Sequence, residues 1–279
     1  MPENVDRDTV EGFGREWQQF AFPTGGGAEL DAIFEQYFSV FPWEKLPASA
    51  VGFDAGVGSG RWALRVAPRV GRLHCVDASE QALSVARAAL SKFDNCVFHH
   101  TTIDDMPLAD QSMDFGYSLG VLHHIPDTMS ALRSCVRKLK PGAPFLLYLY
   151  YSLDNRPSYY RAIWRTSDGV RKLVSRLPYP LRYAASQALA AGVYWPLARA
   201  AALAERVGLP AEAIPLHDYR DKSFYVMRND ALDRFGTGLE QRFSRVQIAE
   251  MMSSAGLFDI RFREGAPYWC AVGFRVGPA

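Results

Sequence analysis

The chain of 279 residues is 48% hydrophobic and carries a formal charge of +1. That is enough apolar material for a sizeable core, and too little net charge to predict a general affinity for nucleic acid or membrane. Cys75, Cys96, Cys135 and Cys270 are scattered and form no C-x-x-C pair, which argues against a disulfide framework or zinc knuckle and for a reduced, cytoplasmic setting. The N-terminus, Met1-Pro-Glu-Asn-Val-Asp-Arg-Asp, is too polar for a signal peptide, and no run of 18 uncharged apolar residues predicts a membrane span.

Residues 1–46 are rich in aromatics: Phe13, Trp17, Phe20, Phe22, Phe34, Tyr37, Phe38, Phe41 and Trp43. Phe34, Tyr37, Phe38 and Phe41 follow helical spacing, so this stretch reads as a helical cap. Val51–Ala55 predicts a first strand, Arg61–Val70 a helix, and Leu73–Asp77 a second strand. Ser79 then caps a helix to about Ser91. Val97–His100, Met113–Leu119 and Pro144–Tyr151 predict further strands, with a helix over Asp127–Lys138 before the Lys140-Pro-Gly142 break. Strands alternating with helices predict a doubly wound α/β fold with a mainly parallel, seven-stranded sheet. After the fifth strand the cadence changes. Residues 152–240 read as an inserted set of helices broken by prolines, with a strand pattern only at Ser223–Met227. A helix over Ser244–Ala255 and two strands, Phe258–Arg263 and Tyr268–Val276, predict an antiparallel C-terminal hairpin. The domains expected are a cap (1–46), a Rossmann-like domain (47–151 and 241–279) and a lid insertion (152–240).

The chemistry concentrates in Asp54-Ala-Gly56-Val-Gly58-Ser-Gly60, with glycine at every second position after the first strand. Such glycines adopt backbone angles closed to other residues and let a ligand lie against the main chain. Asp77 ends the second strand, where a carboxylate accepts hydrogen bonds from a ribose. A dinucleotide fingerprint needs its third glycine at position 61, which is Arg61, and no G-x-x-x-x-G-K-[ST] phosphate loop is present.

The spacing resembles the class I S-adenosylmethionine (SAM)-dependent methyltransferases, in the small-molecule, type 11-like branch. Their first motif is an acidic residue followed by G-x-G-x-G. Thr101-Thr-Ile-Asp-Asp-Met-Pro-Leu108 is similar to the family's adenine loop, and Asp114-Phe-Gly-Tyr-Ser-Leu-Gly-Val-Leu-His-His-Ile-Pro-Asp127 to its fourth strand and following loop. Leu139-Lys-Pro-Gly142 is similar to its turn before the fifth strand. The resemblance implies SAM as cofactor, held by Asp54, Gly56, Gly58, Gly60, Arg61, Asp77, Ala78 and Leu119. It also implies adenine contacts from Thr102, Ile103 or Asp104, because the family's single acid falls near Thr102 whereas this chain has Asp104 and Asp105. Trp17 either covers the sulfonium or belongs to the core. No metal is implied.

His123 and His124 follow the fourth strand, at the edge where such sheets bind ligands, and are the candidate catalytic residues. An ordinary imidazole pKa would suit a base at neutral pH; the alternative is that one packs and the other caps the next helix. Residues 151–210 hold nine Lys or Arg against three acids, a local net of +6, interleaved with aromatics. Tyr151, Arg156, Tyr160, Tyr219, Arg220, Tyr225 and Arg228 are the candidate substrate contacts. The readings of this segment are a lid over a small anionic or sugar-derived substrate, a peripheral membrane surface, a nucleic-acid groove and a solvated helix face. The expected function is methyl transfer to a hydroxyl or amine of a small molecule by a monomer or homodimer that does not bind nucleic acid. The alternatives are a non-catalytic binding protein of the same fold, or a lipid- or nucleic-acid-directed enzyme.

Overall fold

The computed structural model describes residues 4–20 and 27–277. Phe22 and the first three residues of the polar N-terminus lie outside the described residues. The chain divides into two compact units, Met1–Asp154 with Leu239–Ala279, and Asn155–Gly238.

The first unit begins with α1 (Arg7–Gln19) and α2 (Ala28–Phe38). Asp6 caps α1 by accepting the Thr9 amide at 2.8 Å. Then come β1 (Val51–Ala55), the single turn α3 (Ala63–Val66), β2 (Arg72–Asp77), α4 (Glu80–Ala89), β3 (Cys96–His100) and β4 (Phe115–Leu119). Next are α5 (Thr128–Lys138) and β5 (Pro144–Tyr148). The helix expected over Arg61–Val70 is shorter than its sequence pattern. Pro68 has no N–H to donate to the Leu64 carbonyl, and the chain tightens to a 3-10 turn at Ala67–Arg69. Ser79 and Asp127 cap α4 and α5 through the amides of Ala82 and Ser130. The strands β4 and β5 are shorter than expected. Met113 and Tyr151 instead make isolated bridges, to Leu139 and Phe243.

The second unit contains α6 (Ser158–Val174), α7 (Tyr179–Leu189), α8 (Trp195–Arg206) and α9 (Phe224–Gly236). The strand expected at Ser223–Met227 is instead the start of α9. Ser223 accepts the Val226 amide at 3.3 Å as an N-cap. Met227, Ala231 and Phe235, four residues apart, enter one core with Val174, Ala190, Tyr194 and Ala198. Pro196 does not break the chain. It sits in the first turn of α8, after a π-turn at Ala190–Tyr194 that accommodates the amide it lacks. Buried Arg171 donates to the carbonyls of Thr237 and Gly238, and Arg182 to that of Gly236. Two guanidinium groups thus satisfy carbonyls left over at the end of α9.

The chain returns to the first unit through α10 (Arg245–Ser254), which opens with a capping box between Ser244 and Gln247. The strands β6 (Leu257–Phe262) and β7 (Ala271–Arg275) follow. The sheet order is β3-β2-β1-β4-β5-β7-β6, and β7 runs antiparallel to both neighbours. This is the mainly parallel seven-stranded sheet with an antiparallel C-terminal hairpin that the sequence predicts. Alternating strand residues supply two cores. Leu73, Cys75, Phe115, Tyr117 and Leu146 pack with α2, α3 and α4; Phe53, Val76, Phe145 and Leu147 pack with α5 and α10.

Candidate active site

The loop after β1 has a backbone that only glycine adopts easily. Gly56 has φ +94°, and an added Cβ would meet the Val121 side chain at 2.4 Å. The Gly56 and Val57 amides both donate to the Val76 carbonyl, at 2.9 and 3.0 Å. Gly58 has φ +54°, and a Cβ there would lie 3.0 Å from the Trp17 indole nitrogen. The Gly58 amide donates to Asp77 Oδ2 and the Ser79 amide to Asp77 Oδ1, each at 2.9 Å. Burial raises the Asp77 pKa, and these two amides partly offset it. Trp17 of α1 therefore lies over the glycine loop, with the Arg61 guanidinium 5.3 Å from its ring. Gly60 packs against Ala86 of α4.

Asp54 is buried at the end of β1, with 1% of its surface exposed. Desolvation pushes its carboxyl up to about 8, the nearby Tyr117 hydroxyl partly relieves this, and the Asp77 charge adds to it. Its Oδ2 has no hydrogen-bond partner among the described residues. A cationic group beside it would favour the ionised form.

A cavity of about 400 Å³ is lined by Ala78, His100, Thr101, Thr102 and Asp105, with Arg7 and Glu11 of α1 among the facing residues. Thr102 donates to Asp105 Oδ2 at 2.9 Å, and Ile103 is buried in the core. The Asp104 carboxylate accepts from Ser134 at 2.6 Å and from Asn4 at 2.7 Å. Of the adenine-loop candidates, Thr102 lines the cavity, whereas Asp104 is bound to α5 and the N-terminal segment.

Leu119 is buried at the end of β4, and Gly120 follows with φ +79°. His123 is fully buried, its ring stacked on Tyr150 at 3.9 Å and 4.0 Å from the His124 ring. Neither His123 ring nitrogen has a partner among the described residues. Burial, then His124 and Arg242, holds its pKa well below the usual histidine range. The ordinary basicity expected of this residue is thus corrected: at neutral pH it is an uncharged acceptor. His124 Nδ1 lies 2.7 Å from the Leu239 carbonyl, so Nδ1 carries the proton and Nε2 the lone pair. Phe13 of α1 lies 4.9 Å from the His124 ring.

Three residues that sequence reasoning missed complete this edge. Arg242 pairs with Glu240 at 2.7 Å, donates to the Tyr151 carbonyl and lies over the Tyr150 ring. Glu240, Arg242 and Tyr150 belong to segments about 90 residues apart in sequence. The only local signal is an opposite-charge pair two residues apart, just before α10.

Within the helical unit, the remaining candidates are tied to internal partners. Arg156 lies over Tyr160 and 3.6 Å from Asp218, and Tyr160 donates to the Ile214 carbonyl. Tyr219 donates to Asp230, Arg220 pairs with Glu205 at 2.9 Å, and Arg228 bonds Gln187 and Tyr183. Tyr225 stands in the first turn of α9. Arg156 and Tyr160 come together with the 217–220 turn, whereas Arg228 joins α9 to α7. Tyr151 belongs to the sheet unit and faces Tyr268. Among the described residues no group of three or more His, Cys, Asp or Glu could hold a metal ion.

Residues 53–147 match the family model described as a methyltransferase domain. A ubiquinone biosynthesis O-methyltransferase from Hahella chejuensis is 34% identical over 113 residues, covering 40% of this chain and 45% of that protein. The matches span about half the length, or less, of these curated relatives. A solved SAM-dependent methyltransferase from Thermotoga maritima superposes with a TM-score of 0.51 at 14% identity, covering 96% of this chain and all of that one. A solved Bacillus halodurans protein gives 0.51 at 15% identity, covering 84% and 71%. Both structural likenesses concern the fold alone.

Proposed function

We propose that the chain, whose residues 53–147 match the model of a methyltransferase domain, is a class I SAM-dependent methyltransferase that binds SAM at the β1–β2 edge and methylates a hydroxyl or amine of a small molecule. The observation that carries this reading is the glycine cradle: Gly58, bare of a Cβ beneath Trp17, with its amide fixed by Asp77. The residues fit the cofactor's parts. Asp77 suits the ribose hydroxyls, and the cavity at Ala78 and Thr102 suits the adenine. Asp54 Oδ2 suits the ammonium of the methionine moiety, and Trp17 with Leu119 suits an apolar wall around the sulfonium. When bound, SAM supplies an electrophilic methyl group whose bond to sulfur breaks as the bond to the acceptor oxygen or nitrogen forms.

The chain's own contribution is positioning. His123 is fully buried, so its neutral ring accepts a hydrogen bond from the acceptor O–H or N–H only when the loop after β4 opens to bare a ring nitrogen. A base held well below its ordinary pKa orients the acceptor, and the proton shed by the methylated oxygen or nitrogen passes on to water. His124, Tyr150 and Arg242 keep that imidazole in place. Arg156, Tyr160, Tyr219, Arg220, Tyr225 and Arg228 remain the contacts proposed within the helical unit for an anionic or sugar-derived acceptor, and Tyr151 remains a separate candidate of the sheet unit.

Titration calorimetry with S-adenosylhomocysteine tests the cofactor reading; no binding heat at any pH between 6 and 8 would overturn it. Incubation with labelled SAM and fractionated extract, followed by mass identification of the methylated product, tests the reaction. Cofactor binding with no product in any fraction would favour a non-catalytic binding protein.

A further inference from the structure

The outward face of α8 is unusual for a helix exposed to water. Trp195, Leu203 and Val207 are 48%, 62% and 63% exposed, and Arg199 and Arg206 are exposed between them. At about 3.6 residues per turn these five side chains fall within roughly one third of the helix circumference. Val193 before the helix and Leu209 after it are also exposed. No acid shares this face: Glu205 projects from the other side and is bonded to Arg220. The helix's opposite side, through Ala198 and Ala201, is buried.

Scattered exposed apolar residues need no explanation, but a contiguous set with one sign of charge does. A second copy of the chain seated on this face would bring Arg199 and Arg206 near their own duplicates, with no acid to separate them. An anionic bilayer satisfies both components. The tryptophan and aliphatic side chains enter the headgroup boundary, and lipid phosphates meet Arg206 and the exposed part of Arg199, which also donates to the Lys222 carbonyl at 3.1 Å. Among the described residues no helix is long and apolar enough to cross a membrane, so the helix would lie along the surface. We infer that α8 is a peripheral docking surface for anionic lipid. The helix α6 supplies a control. Its exposed Ile163 lies roughly opposite Arg161, Arg165 and Lys172 around the helix, so apolar and cationic groups do not share a face there.

Flotation of the full chain with phosphatidylglycerol/phosphatidylcholine vesicles, and with phosphatidylcholine alone, tests this. The protein floats with the anionic vesicles and much less with the neutral ones, and added salt weakens it. Leu203→Asp reduces binding about tenfold or more, and Arg199→Gln and Arg206→Gln reduce it roughly fivefold each. Ile163→Asp leaves it unchanged. Unaltered thermal melting and S-adenosylhomocysteine binding in the variants separate this result from misfolding and from the cofactor reading. Absence of flotation with either vesicle would overturn the inference. So would equal loss in Ile163→Asp, or a concentration-dependent dimer that Leu203→Asp dissolves without any vesicle binding.

Discussion

The sheet unit and the helical unit use buried titratable side chains for opposite ends. In the sheet unit, Asp54 and His123 are desolvated with polar atoms that no described residue satisfies. In the helical unit, the arginines that stand out in the sequence close helix ends and join helices: Arg171 and Arg182 hold the end of α9, and Arg228 joins α9 to α7. Unsatisfied buried polar atoms are uncommon in native proteins and concentrate where a ligand completes them. An excess of positive charge carries no such implication when the guanidinium groups already have carbonyl partners. Charge density in sequence is therefore a poorer guide to a site than burial without a partner.

The contrast is sharpest at the buried pairs. Glu240→Leu strands the Arg242 guanidinium and is expected to cost about 3–5 kcal/mol, read from urea unfolding; a loss under 1 kcal/mol would mean the sheet unit does not depend on its buried pair. Next in size, Asp77→Ala should weaken S-adenosylhomocysteine binding by about 1–3 kcal/mol, measured by calorimetry, and unchanged affinity would remove Asp77 from the site.

Titration divides the two units further. Asp54, held up to about 8, binds a proton in the folded state that the unfolded chain has released, so stability is lost as pH rises from about 4 to 8. Burial, then His99 and Arg72, lowers His74 to about 4, and burial lowers His99 and His123. These three contribute stability that is present above pH 6.5 and lost on acidification. Between pH 6.5 and 8 the Asp54 direction prevails, aided by Asp77. Stability is expected to fall there by up to about 1.4 kcal/mol per pH unit, and Asp54→Asn should flatten the slope in urea midpoints. In the helical unit, burial alone would raise Asp168, but Lys172 and Arg171 outweigh it and lower its pKa. Its contribution is lost only in acid. The smallest effect belongs to Arg220→Met. Its partly exposed pair with Glu205 is worth about 0–1 kcal/mol, so a larger stability loss would blur the contrast, while a raised KM at unchanged melting temperature would mark Arg220 as an acceptor contact.

Much of the sheet unit was legible in the sequence because its information is local. The spacing of Gly56, Gly58 and Gly60, the carboxylate closing β2 and the cap at Ser79 each act within a few residues. The basicity of His123 was not legible, since its lowered pKa comes first from burial in the folded core, then from His124 and from Arg242, over 100 residues away. Nor was α9. Ser223–Met227 is a short run of aromatic and aliphatic residues such as a strand favours, and only the four-residue spacing from Met227 through Ala231 to Phe235 shows which period wins. The structural part of Arg171 and Arg182 was hidden for the same reason: their partners are carbonyls at the end of α9, which leave no mark in composition.

Asp77 also has a consequence for how affinity is divided. Both of its oxygens already accept backbone amides, from Gly58 on one side and Ser79 on the other. An incoming hydroxyl therefore meets an acceptor whose rotamer and loop are ordered in advance, so little conformational entropy remains to be lost on association. The same bonds make the carboxylate a clasp between two loops. Asp77→Asn, which keeps one of the two amide acceptors, weighs the clasp against the contact: retained melting temperature with weakened binding assigns the loss to the ligand, and a fall in both assigns it to the loops.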